Sequence, residues 1–162
     1  MTERSEALRH QLVRNVHQVS LERQTREPLY DTRCASVSGG TVATKLGAGY
    51  DELSAGKRSC PYHFHHAQEE MFVILEGEGS LRVAGEMVPV KAGDVVFIPP
   101  GPAYPHQLIN TSNATMRYLS ISTQEEPEIC EYPDSGKYGA FAKGFRGAQR
   151  TSANLEYWDG EP

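Results

Sequence analysis

Pro61-Tyr-His63-Phe-His65-His-Ala-Gln-Glu-Glu70-Met-Phe-Val-Ile-Leu75-Glu-Gly77-Glu-Gly79 is the stretch on which the reading of this chain turns. Side chains alternate along a strand, so His63 and His65, two apart, point to one face. Two imidazoles converging on a point suit a transition-metal ion. Glu70 adds an anionic oxygen and opens the apolar run Met71 to Leu75, which has the length and composition of a strand. A carboxylate at the head of such a strand is costly to bury unless it is paired or coordinated. Gly77 and Gly79 end the run and permit a tight turn. Taken alone, the His-x-His pair is also compatible with a histidine-rich surface loop.

Outward from this stretch the chain reads as short strands separated by turns. Val42–Leu46, Tyr50–Leu53, Ser80–Val83, Val95–Ile98 and Met116–Ser122 are strand candidates, with Val88 and Val90 on one returning face. Ser54-Ala-Gly-Lys57, Ala84-Gly-Glu86 and Lys91-Ala-Gly-Asp94 are turns. Pro99-Pro-Gly-Pro102 ends one strand in a rigid loop, and His106 follows before the strand Gln107–Asn110. Many short strands with little helix between them indicate an all-β sandwich or barrel. Residues 2–13 fit a short amphipathic helix, with Ala7, Leu8 and Leu12 on one side. Residues 14–33 read as an arm or peripheral strand, and the segment from Glu125 as a tail of little periodicity.

Two motifs together resemble the cupin superfamily. His63-x-His65, four residues, Glu70, six residues, Gly77 matches the first cupin motif. Gly93, five residues, Pro99-x-Gly101, then His106 and Asn110, matches the second. This chain departs in having four residues between Gly101 and His106 where the family has two, and in a leading glycine one residue early, at Gly56. The resemblance covers about residues 40–123. Glu126-Pro-Glu-Ile-Cys-Glu-Tyr-Pro-Asp-Ser-Gly-Lys is similar to the tail of small single-domain cupins without an assigned activity. The resemblance implies a double-stranded β-helix, a jelly-roll-like barrel, over residues 34–124, with an irregular arm at 1–33 and a tail at 125–162 packed on the barrel. It also implies His63, His65, Glu70 and His106 as metal ligands.

Three imidazoles and one carboxylate suit iron, manganese, nickel, cobalt or zinc. Four ligands close a tetrahedral zinc site but leave two positions on an octahedral ion. The family implies a small-molecule enzyme of dioxygenase, isomerase or lyase type. A non-catalytic sensor or storage module that holds a small ligand is the competing class. Tyr62, Tyr104, Gln107 and Tyr118 are candidate acid–base partners, although packing accounts for each singly. His66 takes the opposite strand face, and Glu69 stands near the rim. Lys57 or Arg58, just before the histidines, is a candidate to hold an anionic substrate near the barrel mouth, against the plainer reading of the pair as a solvated turn.

The chain has 162 residues, enough for one core, and a formal charge of −5, which disfavours a nucleic-acid partner. No run is apolar enough for a membrane span and the first residues carry no secretory signal, so the expected location is the cytoplasm. Cys34, Cys60 and Cys130 are odd in number and form no Cys-x-x-Cys pattern, which reads as free thiols in a reducing compartment; Cys60, three residues before His63, is a minor candidate to line the site. If Glu70, Phe72 and Ile74 face inward, Met71, Val73 and Leu75 face out, which predicts a homodimer. Trp158 is either a packing anchor or an exposed ring.

Overall fold

The computed structural model describes residues 2–161. In chain order the elements are α1 (Glu3–Leu12), β1 (Glu22–Arg26), β2 (Tyr30–Ser36), β3 (Leu46–Leu53), β4 (Phe64–His65), β5 (Glu70–Glu76) and β6 (Glu78–Val83). They continue as β7 (Glu86–Lys91), β8 (Val95–Ile98), β9 (His106–Ile109), β10 (Met116–Thr123), β11 (Glu128–Tyr132), β12 (Lys137–Ala142) and β13 (Phe145–Arg150). Among the described residues no helix is long and apolar enough to cross a membrane.

The strands form a six-stranded sheet ordered β1-β2-β3-β10-β5-β8, a three-stranded sheet β7-β6-β9 and a four-stranded sheet β13-β12-β11-β4. All named pairings are antiparallel. The inner faces of the first two sheets meet on Leu53, Phe72, Ile74, Leu81, Val90, Ile98, Leu108, Met116 and Tyr118. Alternation decides this core: in β5 Phe72 and Ile74 are buried, whereas Leu75 is exposed. The result is the all-β cupin-type barrel that the sequence implied.

The glycine after β5 answers to a close approach. Gly77 has φ +80°, and a Cβ there would stand 2.9 Å from Thr115 O. Asn110, from the second motif, is a structural pin. It is fully buried; its Nδ2 donates to Leu53 O (2.8 Å) and Ala114 O (2.7 Å), and its Oδ1 accepts from Ser112 N and Oγ.

Several expected elements differ. Val42–Leu46 is not a strand; β3 begins only at Leu46. Ser36, Ser38 and Thr41 bond locally to backbone at Gly39, Ala48, Ser38 and Ala43, offering the chain an alternative to a ladder. The N-terminal arm is not irregular throughout. Helix α1 forms, capped by Thr2 accepting from Ser5 N, with Glu3 and Glu6 in its first turn and Arg9 and His10 in its last. It is not the amphipathic helix expected, because it buries no residue and leaves Leu8 and Leu12 exposed. β1 and β2 then form a hairpin, and β2 joins β3 across position 33/34. The tail is likewise no irregular segment: β11, β12 and β13 are a meander whose first strand pairs with β4. Its strands are half-exposed, so burial imposed no strong alternation on their sequence. Trp158 is an exposed ring, 4.8 Å from the ring of Tyr157.

Asn110→Ala removes the side-chain donor to the buried Leu53 carbonyl, one of the two side-chain donors to the Ala114 carbonyl, and the acceptor for Ser112. The expected loss is about 2 kcal/mol of folding stability, read by chemical denaturation.

Candidate metal centre

β4 carries Phe64 and His65, and His63 immediately precedes it. His63 forms a two-way backbone bridge with His106: His63 N donates to His106 O (3.1 Å) and His106 N to His63 O (2.7 Å). This ladder holds the two imidazoles side by side, with ring centroids 4.5 Å apart. The longer loop before His106 is taken up at the surface, where Pro102, Ala103 and Tyr104 are exposed. Gly101 N still donates to His65 O at 2.7 Å. Glu70, the first residue of β5, faces them from the six-stranded sheet.

The structure brings all four residues together. Glu70 Oε2 is 2.7 Å from His106 Nε2, 3.5 Å from His65 Nε2 and 3.7 Å from His63 Nε2. Each imidazole has its other nitrogen beside an acceptor. Nδ1 of His63 faces Pro61 O (2.9 Å), that of His65 faces Glu128 Oε1 (3.1 Å), and that of His106 faces Tyr104 O (3.3 Å). A ring nitrogen beside an acceptor carries the proton in the neutral tautomer, which leaves each Nε2 as a bare lone pair. Three lone pairs and a carboxylate oxygen then converge. Glu70 Oε2 and His106 Nε2 are buried without a hydrogen-bond partner. A cation would satisfy such a cluster, and the donor set fits a divalent transition metal. His63, Glu70 and His106 form one group able to hold an ion, and His63, His65 and Cys130 form another.

The electrostatics agree. Burial alone would push the Glu70 carboxyl up, but hydrogen bonds from His106 and His63 and the nearby imidazoles hold it well below the usual range. Burial would lower His63, but its contacts with Cys60 and Glu70 outweigh burial and raise it, the same attraction for positive charge that a bound cation would satisfy. Burial keeps His65 low. Positive charge is therefore drawn to the point between these side chains.

Glu128, on β11, holds the ligand turn from behind, and nothing in the sequence pattern marked it. It is 2% exposed and accepts from His65 Nδ1, from the backbone N–H groups of His66 (3.0 Å) and from Ala67 (2.9 Å) and Gln68 (3.1 Å). Its neighbour Ile129 is exposed, so a hydrophobic reading of β11 inverts its faces. Tyr132, on Glu128's strand face, stacks near the His63 ring. A cavity of about 240 Å³ opens on the centre, lined by His63, Glu70 and His106 and also by Cys34, Asp51, Cys60, Tyr118 and Ser120. Asp51 was missed too. The alternation that sends Leu53 inward sends Asp51 to the same face.

The remaining candidates separate cleanly. Tyr118 lines the cavity, and Cys60 does so with Sγ 3.7 Å from His63 Nδ1. Tyr62 instead packs under Arg82 and accepts from Gly85 N. Tyr104 is exposed, and Gln107 donates to the Cys60 carbonyl. His66 bonds Glu131 on the outer face at 2.7 Å, and Glu69 is exposed. The expected anion-holding role of Lys57 and Arg58 is not seen. Lys57 Nζ is engaged by Glu27 Oε2 (2.8 Å) and Pro28 O (2.7 Å), and neither residue lines the cavity.

Residues 49–122 match the family model described as the cupin domain. An uncharacterised protein of Methanocaldococcus jannaschii is 37% identical over 73 residues, covering 43% of this chain and 57% of the relative. An oxalate-binding protein of Thermotoga maritima is 39% identical over 59 residues, covering 36% and 47%. The chain thus spans about half the length of the curated relatives it matches. The crystal structure of a candidate sugar phosphate isomerase from Acidithiobacillus ferrooxidans superposes with a TM-score of 0.81 at 22% identity, covering 91% of this chain and 97% of that one. That likeness is one of fold.

Glu128→Ala strands three backbone donors and frees the His65 ring. Metal affinity is expected to fall about 10–100-fold by competition titration, and stability by about 3 kcal/mol by denaturation.

Proposed function

We propose that this chain binds one divalent transition-metal ion on His63, His65, Glu70 and His106 and acts on a small molecule in the adjoining cavity, as an enzyme of isomerase, lyase or dioxygenase type. The observation that carries the reading is that all three imidazoles face an acceptor through Nδ1 and direct Nε2 at Glu70 Oε2. Iron, manganese, nickel, cobalt and zinc all accept such a set, and a bound ion polarises a substrate oxygen or acidifies a bound water. The residues around it position the ligand. Phe72 and Leu108 supply apolar wall, and Thr32, Asp51 and Ser120 supply polar contacts. In this reading residues 34–124 are the working barrel and 125–162 its cover. Isomerisation is the activity named for the candidate from Acidithiobacillus ferrooxidans. The name of the Thermotoga maritima relative favours a second reading, a binding module that anchors a small carboxylate without turning it over. Three free thiols suit a reducing compartment such as the cytoplasm, and a net charge of −5 suits no nucleic-acid partner.

Elemental analysis of the purified chain should find about one transition metal per polypeptide, with ligand bonds near ~2.0–2.2 Å by X-ray absorption. His65→Ala should lose most of it. Full retention in that variant removes the site as drawn. Turnover of any member of a panel of diketones, hydroxy acids and sugar phosphates separates the enzyme from the binding module.

We also propose that the protein pairs with a second copy through the outer face of the six-stranded sheet. Two apolar rows cross that face. Phe97, Met71 and Ile121 are cross-strand neighbours in one, and Val95, Val73 and Leu119 in the other. Phe97 is 66% exposed and Val95 46%, so neither α1 nor the tail covers them. The two rows reach the sheet edge at β8 and carry no charge themselves, with the ion-paired row Glu76, Arg117, Glu52 and Arg33 beside them, an apolar patch with a charged rim that suits a self-complementary two-fold contact. Sedimentation at micromolar concentration should give a dimer, and Phe97→Glu or Val73→Glu should give monomer. A monomeric unmodified chain ends this proposal.

A further inference from the structure

The metal centre lacks one thing that small-molecule chemistry needs, a group that exchanges protons with the ligand near neutral pH. The tyrosines near the ligands do not provide it. Burial raises the Tyr118 phenol well above its usual value, and burial raises the Cys34 thiol, so both stay protonated. Glu70 is committed to the three imidazoles.

We propose that Asp51 is the catalytic proton carrier of this site, acting on a small α-hydroxy-carbonyl ligand held between it and the histidine cluster. This rests on the metal-dependent reading above and deepens it. Asp51 stands on the inner face of β3, and Glu70 on that of β5; β10 lies between the two strands. Both carboxylates line the 240 Å³ cavity, and both also line an adjoining groove between β2, β3 and β10. Asp51 is therefore placed where a ligand entering along the groove meets the centre. At about 30 Å³ per water-sized group, the cavity holds roughly eight such groups. That is the size of a compound of three to five carbons.

The surroundings of Asp51 are built for it. Ser120 Oγ donates to Asp51 Oδ2 at 2.9 Å. A Cβ on Gly49 would stand 2.6 Å from that Ser120 oxygen, so the glycine makes room for the bond. Cys34 and Tyr118 are the cross-strand partners of Asp51 on β2 and β10. His63, Glu70, His106 and Cys60 face it across the cavity. Burial raises the Asp51 carboxyl to about 6, opposed by the Ser120 hydrogen bond. At neutral pH it is mostly ionised yet easily protonated, the condition for giving and taking protons.

In the step we assign, the carboxylate takes the proton from the carbon beside the ligand carbonyl. The C–H electron pair passes into the ligand as its enolate, with the negative charge on the carbonyl oxygen. Return of a proton from Asp51 to carbon restores the keto compound. In D2O the Asp51 carboxyl exchanges its proton with solvent before returning a deuteron to carbon, so the net change is C–H to C–D with one solvent deuteron consumed and one proton released.

The test uses the full chain loaded with one equivalent of manganese or cobalt, and dihydroxyacetone as probe, followed by proton NMR in D2O. The unmodified protein should exchange the probe's methylene protons about a hundredfold faster than Asp51→Asn, with a rate that climbs as pH rises through about 6. Asp51→Asn should keep its metal and lose that rise, and Asp51→Glu should recover part of it. Melting provides a readout independent of any ligand. A carboxyl raised in the folded state costs nothing below its unfolded pKa, where it is protonated in both states, and costs fully above its folded one. Asp51→Asn should therefore melt higher than the unmodified chain near pH 8, the gap closing below about pH 4. Equal exchange in Asp51→Asn, metal loss in that variant, or no exchange above the protein-free rate by the metal-loaded unmodified chain overturns the assignment and leaves the metal site standing. A chain that takes up no metal overturns both.

Discussion

A carboxylate inside a β-barrel, faced by the Nε2 atoms of three imidazoles, is the constraint on which this structure depends. Glu70 opens β5, and its oxygen lies where Nε2 of His63, His65 and His106 converge. Ionic groups in so confined a place are expensive unless a cation completes them. Much of the local architecture keeps that arrangement from relaxing. The His63–His106 ladder fixes two rings, and Glu128 fixes the third together with the backbone that follows it.

The barrel accommodates this by dividing its interior. Along β5 and β10 the inward positions run from polar to apolar, Glu70 to Ile74 in one and Ser122 to Met116 in the other. Ile74 and Met116 lie deep in the core, far along their strands from Glu70 and Ser122. The apolar end supplies the burial that stabilises a chain of this size, which frees the other end for a centre that contributes little to folding. Small residues at that end, Gly47, Gly49, Ser120 and Ser122, leave the space that the cavity and groove occupy.

What was legible depended on how far apart the cooperating residues lie in sequence. His63, His65 and Glu70 stand within eight residues, and strand alternation was enough to bring the histidines to one face. The inward set of β5 and the outward apolar set of Met71, Val73 and Leu75 followed from the same rule. Glu128 was not legible, because it lies 63 residues from His65 and its strand buries a glutamate while exposing Ile129. Hydrophobic alternation has no means of reporting that a neighbouring strand offers a row of donors. Val42–Leu46 failed for the opposite reason, since local serine and threonine bonds outweighed a favourable strand composition.

By itself the sequence determined the periodic features: most of the central strands, the faces they bury, and the two cupin-like motifs that carry His63, His65, Glu70 and His106 as candidate ligands. Those follow from period-two geometry and from spacing along a single chain. Only the tertiary structure decided that a tail strand closes behind His65, that Lys57 is occupied by Glu27, and that Asp51 shares a cavity with Glu70. Each of these is a pairing between distant segments. Such pairings are set by register and by the satisfaction of buried polar groups, neither of which leaves a mark on local composition.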